Sequence, residues 1–264
     1  RLLKSAWLSI FNTLFISMVM LASQPTMAAT YAAMVMDARD GSILHAENAD
    51  QRLHPASLTK MMTLYIAFEA VENGEISLDT KVKISKKAGS EPPSKLGLKA
   101  GQRIRLRYLI RAAAIKSAND AATAIGEAIE GSEAAFARRM NRTAKALGMN
   151  RTTFKNAHGL TQQGHLSTAR DMTILGRHVF YDYPEYYNLF SRRTANAGIK
   201  KVRHTNTRFL ANYRGADGSD NPVTSNSSSF PHIICFVFYQ SSRKQLIAFL
   251  DVCFVRNKHC LKSK

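Results

Sequence analysis

The sequence predicts an α+β fold: a sheet-forming start, a helical middle, and a return to sheet after about residue 190. Three observations predict it. Residues 31–37 and 42–46 are short runs rich in Ala, Val and Met, joined across Asp40-Gly41, a pair that favours a hairpin turn. Residues 58–71 are apolar almost throughout (Met61, Met62, Leu64, Ile66, Phe68), which predicts a helix buried on all sides rather than along one stripe. Residues 106–181 then carry several helix-length segments separated by capping residues.

Taken in order, Pro55 precedes the buried helix, and residues 76–105 read as short strands and loops broken by Pro92-Pro93 and Gly101. Helices are expected over 106–114, 121–130, 133–147 (ended by Gly148) and 169–181, with Ser132 and either Ser167 or Thr168 as caps. Ahead of all this, Arg1 and Lys4, an apolar stretch over 6–22, Pro25 and the small Ala28 and Ala29 have the layout of a secretory signal peptide, cleaved after Ala28 or Ala29. An uncleaved membrane anchor is the alternative, although the span is marginal for crossing a bilayer. After Gly218 the character changes. Polar residues 219–229 lead to an apolar patch over 233–239, a second patch over 246–255 and a basic end. This segment reads either as a last strand and helix behind a polar linker, or as a stretch foreign to the domain before it, as after a frameshift.

Composition bounds the function. The chain has 37 Lys+Arg against 19 Asp+Glu, a net charge of +18, and its 45% hydrophobic content excludes wholesale disorder. A disulfide scaffold is excluded as well, because the 3 cysteines, Cys235, Cys253 and Cys260, all fall in the last segment. The charge suits nucleic acid, an anionic membrane surface or a cell-wall polymer. An export leader demotes nucleic acid and leaves at most peripheral membrane contact. The run Arg103, Arg105, Arg107, Arg111 is expected to be a solvated face. The histidines lack metal-binding spacing, so neither metal nor cofactor is expected, and His158 is expected to pack or hydrogen-bond.

Two short constellations carry chemistry. Ser57-Leu58-Thr59-Lys60 opens the buried helix, and residues three apart share a helix face, so the Lys60 amine can reach the Ser57 hydroxyl. Serine is a weak nucleophile until a base takes its proton, and lysine is that base only when burial keeps its amine neutral. Ser117-Ala118-Asn119 is expected as a connector between two helices. Its hydroxyl can shuttle a proton, and its carboxamide can hold a peptide group and hydrogen-bond the lysine. Each constellation also reads as an ordinary helix cap.

Together these motifs resemble Ser-x-x-Lys and Ser-x-Asn of the penicillin-binding proteins and class A β-lactamases. The likeness extends through residues 31–38, 55–63, 116–122, 154–160 (Phe-Lys-Asn-Ala-His-Gly-Leu) and 167–172. The chain thus resembles the low-molecular-weight penicillin-binding proteins, the serine D-alanyl-D-alanine carboxypeptidases of peptidase family S11. The resemblance implies a penicillin-binding fold, an antiparallel sheet flanked by helices plus a helical subdomain. It implies Ser57 as acyl-forming nucleophile, Lys60 as its base, and Ser117 with the substrate-binding Asn119 across the cleft. The implied substrate is the peptidoglycan stem peptide, with β-lactams as acylating inhibitors. Alanine at 118, where class A β-lactamases have aspartate, favours the peptidase over the lactamase.

The family's third motif, Lys-Thr-Gly, is expected just after residues 213–218, yet Ser219-Asp220-Asn221 stands there, and neither Lys-Thr-Gly nor Lys-Ser-Gly occurs in the sequence. By resemblance that strand supplies a carboxylate-binding cation and a second oxyanion donor. Losing one such donor costs about a hundred- to a thousandfold in rate. The expectation is a leader over 1–29, a peptidase-like domain over 30–218 with its closing sheet portion incomplete, and a divergent tail over 219–264. The chain is expected to be inactive or barely active. A truncated relic or weak peptidoglycan binder is the alternative.

Overall fold

The computed structural model describes residues 31–205 in full and the backbone of Thr30, 233–240 and 249–251. The expected leader, the stretch 213–218 and most of 219–264 lie outside the described residues.

Strands β1 (Thr30–Asp37) and β2 (Ile43–Glu47) form the expected hairpin. Gly41, at φ +79°, supplies the left-handed residue of the turn, and its N–H donates to Asp37 O at 2.9 Å. A 3-10 turn (Ala56–Leu58) then leads into α1 (Thr59–Glu72). Eleven of the fourteen α1 residues are buried, as the largely apolar run predicts.

Residues 76–105 form β3 (Lys81–Lys83) and β4 (Arg103–Arg105), an antiparallel pair, but also a short helix α2 (Lys86–Ser90) that the sequence reading missed. Its signal was local: Ser85 Oγ accepts from Ala88 N at 2.9 Å. The helices α3 (Leu106–Lys116), α4 (Asn119–Glu130), α5 (Glu133–Ala146) and α6 (Ala169–Asp182) follow. Ser132 and Thr168 cap the last two. After them come a single turn α7 (Pro184–Tyr187), a second 3-10 turn (Asn188–Ser191) and the small pair β5 (Thr194–Asn196) and β6 (Lys201–Arg203).

Two apolar cores flank α1. Met62 and Ile66 pack with β1, α5 and α6, while Leu64, Ala67 and Phe68 pack with β3, α3 and α4. Burying an aromatic such as Phe68, Phe136 or Phe154 is worth about 2–3 kcal/mol each. Helices α4 and α5 touch so closely that a Cβ on Gly126 would lie 2.7 Å from the Phe136 ring. Arg139 of α5, bonded to Glu69, Glu75 and Glu130 at 2.6–3.2 Å, ties three segments together.

Strand β7 (Ile233–Gln240) lies antiparallel to β1, from Thr30↔Gln240 to Asp37↔Ile233, and β8 (Phe249–Asp251) pairs with β7. The sheet order is β2-β1-β7-β8, with α6 packed on β1 and β7. Strand β7, the continuous apolar run over 233–239, thus lies along the β1 edge away from β2. The basic run also differs from expectation. Arg103 and Arg105 are exposed, but Arg107 is half-buried and pairs with Asp79, and Arg111 Nη1 donates to Asn196 O at 3.2 Å.

Candidate active site

The chain enters α1 through a constrained elbow. Ala56 has φ +46°, a left-handed conformation that a residue with a Cβ adopts at a cost of about 1–2 kcal/mol. Gly159 holds it there: a Cβ on Gly159 would lie 1.7 Å from the Ala56 carbonyl oxygen, so only glycine, at φ +89°, allows the 156–160 loop to close on the elbow. Thr59 is fixed from the same side. Lys155 N donates to His165 Nδ1 at 3.1 Å, which leaves the proton on His165 Nε2 to be donated to Thr59 Oγ1 at 2.9 Å. Burial, with the neighbouring cationic groups, pushes His165 down to about 4 and keeps it neutral.

This elbow exposes Ser57 and sends Lys60 inward. Lys60 is 3% exposed; its Nζ lies 2.7 Å from His158 O, to which it donates, and 3.4 Å from Ser57 Oγ. Burial lowers its amine to about 7, against the opposing pull of the Glu91 charge. An amine in that state can accept a proton from a neighbouring hydroxyl near neutral pH.

Ser117 ends α3 at φ +56°, also left-handed. Its Oγ is buried and has no hydrogen-bond partner among the described residues. Asn119 does not hydrogen-bond Lys60 as expected. Its Nδ2 donates to Pro92 O at 3.0 Å, and its backbone N–H donates to Ser94 O at 2.7 Å. It is also not in a connector: it opens α4, whose N-cap position, Ala118, makes no side-chain bond. Ser94 O thus serves the first amide of α4, and Asp120 Oδ1 accepts from Ala121 N at 2.9 Å.

All four expected residues line one crevice with two lobes. Ser57, Lys60 and Ser117 line the first with His204, and Ser57, Ser117 and Asn119 line the second with His54 and His158.

The family described as D-alanyl-D-alanine carboxypeptidase, Peptidase S11, matches residues 18–228. The chain belongs to that family. Its match reaches ten residues past the expected limit at 218 and begins inside the expected leader. The D-alanyl-D-alanine carboxypeptidase DacF of Bacillus subtilis is 35% identical over 190 residues, covering 71% of this chain and 49% of that protein. The chain spans about half the length of the curated relatives it matches. Among solved structures, penicillin-binding protein 5 of Haemophilus influenzae superposes with a TM-score of 0.68 at 30% identity, covering 85% of this chain and 64% of that one. Penicillin-binding protein D2 of Listeria monocytogenes in its cefotaxime-bound form gives 0.64 at 31% identity, covering 83% and 88%. The α+β penicillin-binding fold is that of these S11 relatives.

Sequence reasoning missed two carboxylates behind Lys60 in this S11 site, Glu91 and Glu133; His158, expected to pack or hydrogen-bond, does so beside them. His158 Nε2 lies 3.5 Å from Glu91 Oε1 and 3.4 Å from Glu133 Oε1, and Glu133 is also paired with Lys87. Burial pushes the Glu133 carboxyl up, but His158 and Lys87 outweigh it and hold it at about 2. The trio has the spacing of a cation site. Its chemistry fits one poorly, because Leu160 N donates to His158 Nδ1 at 3.1 Å, so Nε2 carries a proton toward the carboxylates rather than a lone pair. Asp120, next to the Ser117-Ala118-Asn119 constellation, has a structural part as well. It accepts from the backbone of Leu96, Gly97 and Leu98 at 2.8–3.0 Å and clamps that loop to α4.

Proposed function

We propose that this chain forms an acyl-enzyme at Ser57 from peptides ending in D-Ala-D-Ala, releasing the terminal D-alanine, and that β-lactams are trapped at the same ester. The observation that carries the reading is the buried Lys60 amine, lowered to about 7 and 3.4 Å from Ser57 Oγ. The amine takes the hydroxyl proton as Oγ attacks the carbonyl carbon of the penultimate residue. The Ser57 N–H, at the mouth of α1, serves the developing oxyanion. As the peptide C–N bond breaks, the proton passes by way of Ser117 Oγ to the leaving amine; water then cleaves the ester. The unpartnered Ser117 hydroxyl supports that relay, and the Asn119 carboxamide, oriented by Pro92, supports a role in holding the substrate.

The cleft works with one wall altered. With no Lys-Thr-Gly in the sequence, acylation is slowed about a hundred- to a thousandfold. We place the native limit of the domain near 218, with β7 borrowed from the following segment to cover β1. The leader-like residues 1–29 support export, to the periplasm or the outer face of the cytoplasmic membrane, where peptidoglycan lies. Among the described residues no helix is long and apolar enough to cross a membrane.

Intact-mass measurement after incubation with a fluorescent penicillin tests the reading. A slow single adduct that disappears in Ser57→Ala is expected. No adduct after prolonged incubation would leave the chain a truncated relic, and rapid turnover of a chromogenic cephalosporin would make it a β-lactamase.

A further inference from the structure

Glu91 is buried, 7% exposed, directly after α2. It lines neither lobe of the crevice. Its Oε1 accepts from Thr123 Oγ1 at 3.0 Å and faces the protonated Nε2 of His158 at 3.5 Å. The same His158 offers its carbonyl oxygen to Lys60 Nζ at 2.7 Å. One residue therefore joins a buried carboxylate to the buried amine: its ring is held by the acid and its backbone by the base.

We propose that Glu91 is a positioning residue for the Ser57–Lys60 pair, fixing the 156–160 loop through the His158 ring and supplying the negative charge that sets when Lys60 gives up its proton. The inference rests on the reading of Lys60 as the base.

Other charged groups near Lys60 are spoken for. Glu133 of α5 is balanced by Lys87 of α2, and His158 gives its ring proton to the carboxylates. His165 is neutral and bonded to Thr59, and burial lowers His204 in the first lobe, keeping it neutral too. His54 donates to His165 O at 3.0 Å. Glu91 accepts from the Thr123 hydroxyl and faces the His158 ring, and its negative charge bears on the Lys60 amine. A carboxylate in a low-dielectric interior favours the protonated amine, so its removal drives the amine toward the neutral form at lower pH.

The test is the titration of Lys60 followed by NMR on protein labelled with ¹³C at lysine Cε, beside the pH profile of penicillin acylation. In Glu91→Gln the Lys60 titration and the acid limb of the profile both move to lower pH, by about one unit. Glu133→Gln moves them less, because Lys87 already offsets that acid. An unchanged or raised titration in Glu91→Gln overturns the proposal. Should that variant not fold, Thr123→Val removes the hydroxyl donor that stabilises the carboxylate, so the Lys60 titration is displaced from its wild-type position; an unmoved titration there overturns the proposal equally. The NMR arm needs no turnover. A wild-type chain that never acylates, yet whose Lys60 titration falls in Glu91→Gln, sinks the acylation reading and leaves this one standing. Acylation with an unmoved titration does the reverse.

Discussion

Two hydroxyls share the crevice, and they are held in opposite ways. On the Ser57 side everything is fastened: the Ala56 elbow lies under Gly159, Thr59 takes the His165 proton, and Lys60 donates to His158 O. Ser117 has no such support for its side chain. Its backbone is left-handed, its Oγ is buried, and among the described residues nothing hydrogen-bonds that oxygen. A buried hydroxyl without a partner costs about 1–3 kcal/mol. One wall is thus rigid by construction, and the other stores an unmet demand for a hydrogen bond. The contrast suits a site in which the base must be placed before substrate arrives, while the proton carrier finds its partner only when substrate is bound.

The sharpest break of that contrast is Ser117→Ala. If the hydroxyl serves only chemistry, acylation falls about a hundred- to ten-thousandfold while the denaturation midpoint stays or rises, because an orphaned polar group has gone. A stability loss with unchanged acylation would make Ser117 structural. The converse variant on the fastened side is Gly159→Ala. With a Cβ 1.7 Å from Ala56 O the loop cannot close, so a loss of about 3 kcal/mol or more is expected by chemical denaturation, with labelling lost alongside.

A milder probe is pH. With Lys60 at about 7, the acylation rate should fall about tenfold per pH unit below that point and level off above it, read by timed mass spectrometry. The stability sign follows from the same depression. Between about 7 and the unfolded value of 10.5 the unfolded chain binds more protons, so Lys60's contribution to stability rises with pH across that window. The smallest effect is expected for Ser117→Gly. Relief of the left-handed strain, set against glycine's greater backbone freedom in the unfolded chain, should change stability by no more than about 1 kcal/mol, measured by the same denaturation.

What could be read in the sequence was what is encoded locally. The Asp40-Gly41 hairpin, the Ser132 and Thr168 caps and the Ser57–Lys60 spacing each depend on residues a few positions apart, and each holds. The near-continuous apolarity of 58–71 announced a helix buried on all sides, and α1 has a core on both sides. Glu91, Glu133 and His158 gave no such signal, because they come from three separate elements and meet only after α2, α5 and the 156–160 loop have packed. Gly159 reads as a loop glycine until Ala56, about a hundred positions earlier, is seen beneath it. The bonds of Asn119 and Asp120 to the backbone of 92–98 could not be read locally either, because their partners lie more than twenty positions away.

The double allegiance of α1 has a thermodynamic consequence. Its Met62 and Ile66 belong to one core and its Leu64 and Phe68 to the other, so neither cluster can come apart without stripping a side of the same rod. Amides along it should exchange with deuterium only through global opening, and heating should give a single cooperative melt in which the crevice vanishes at one temperature rather than fraying from either end.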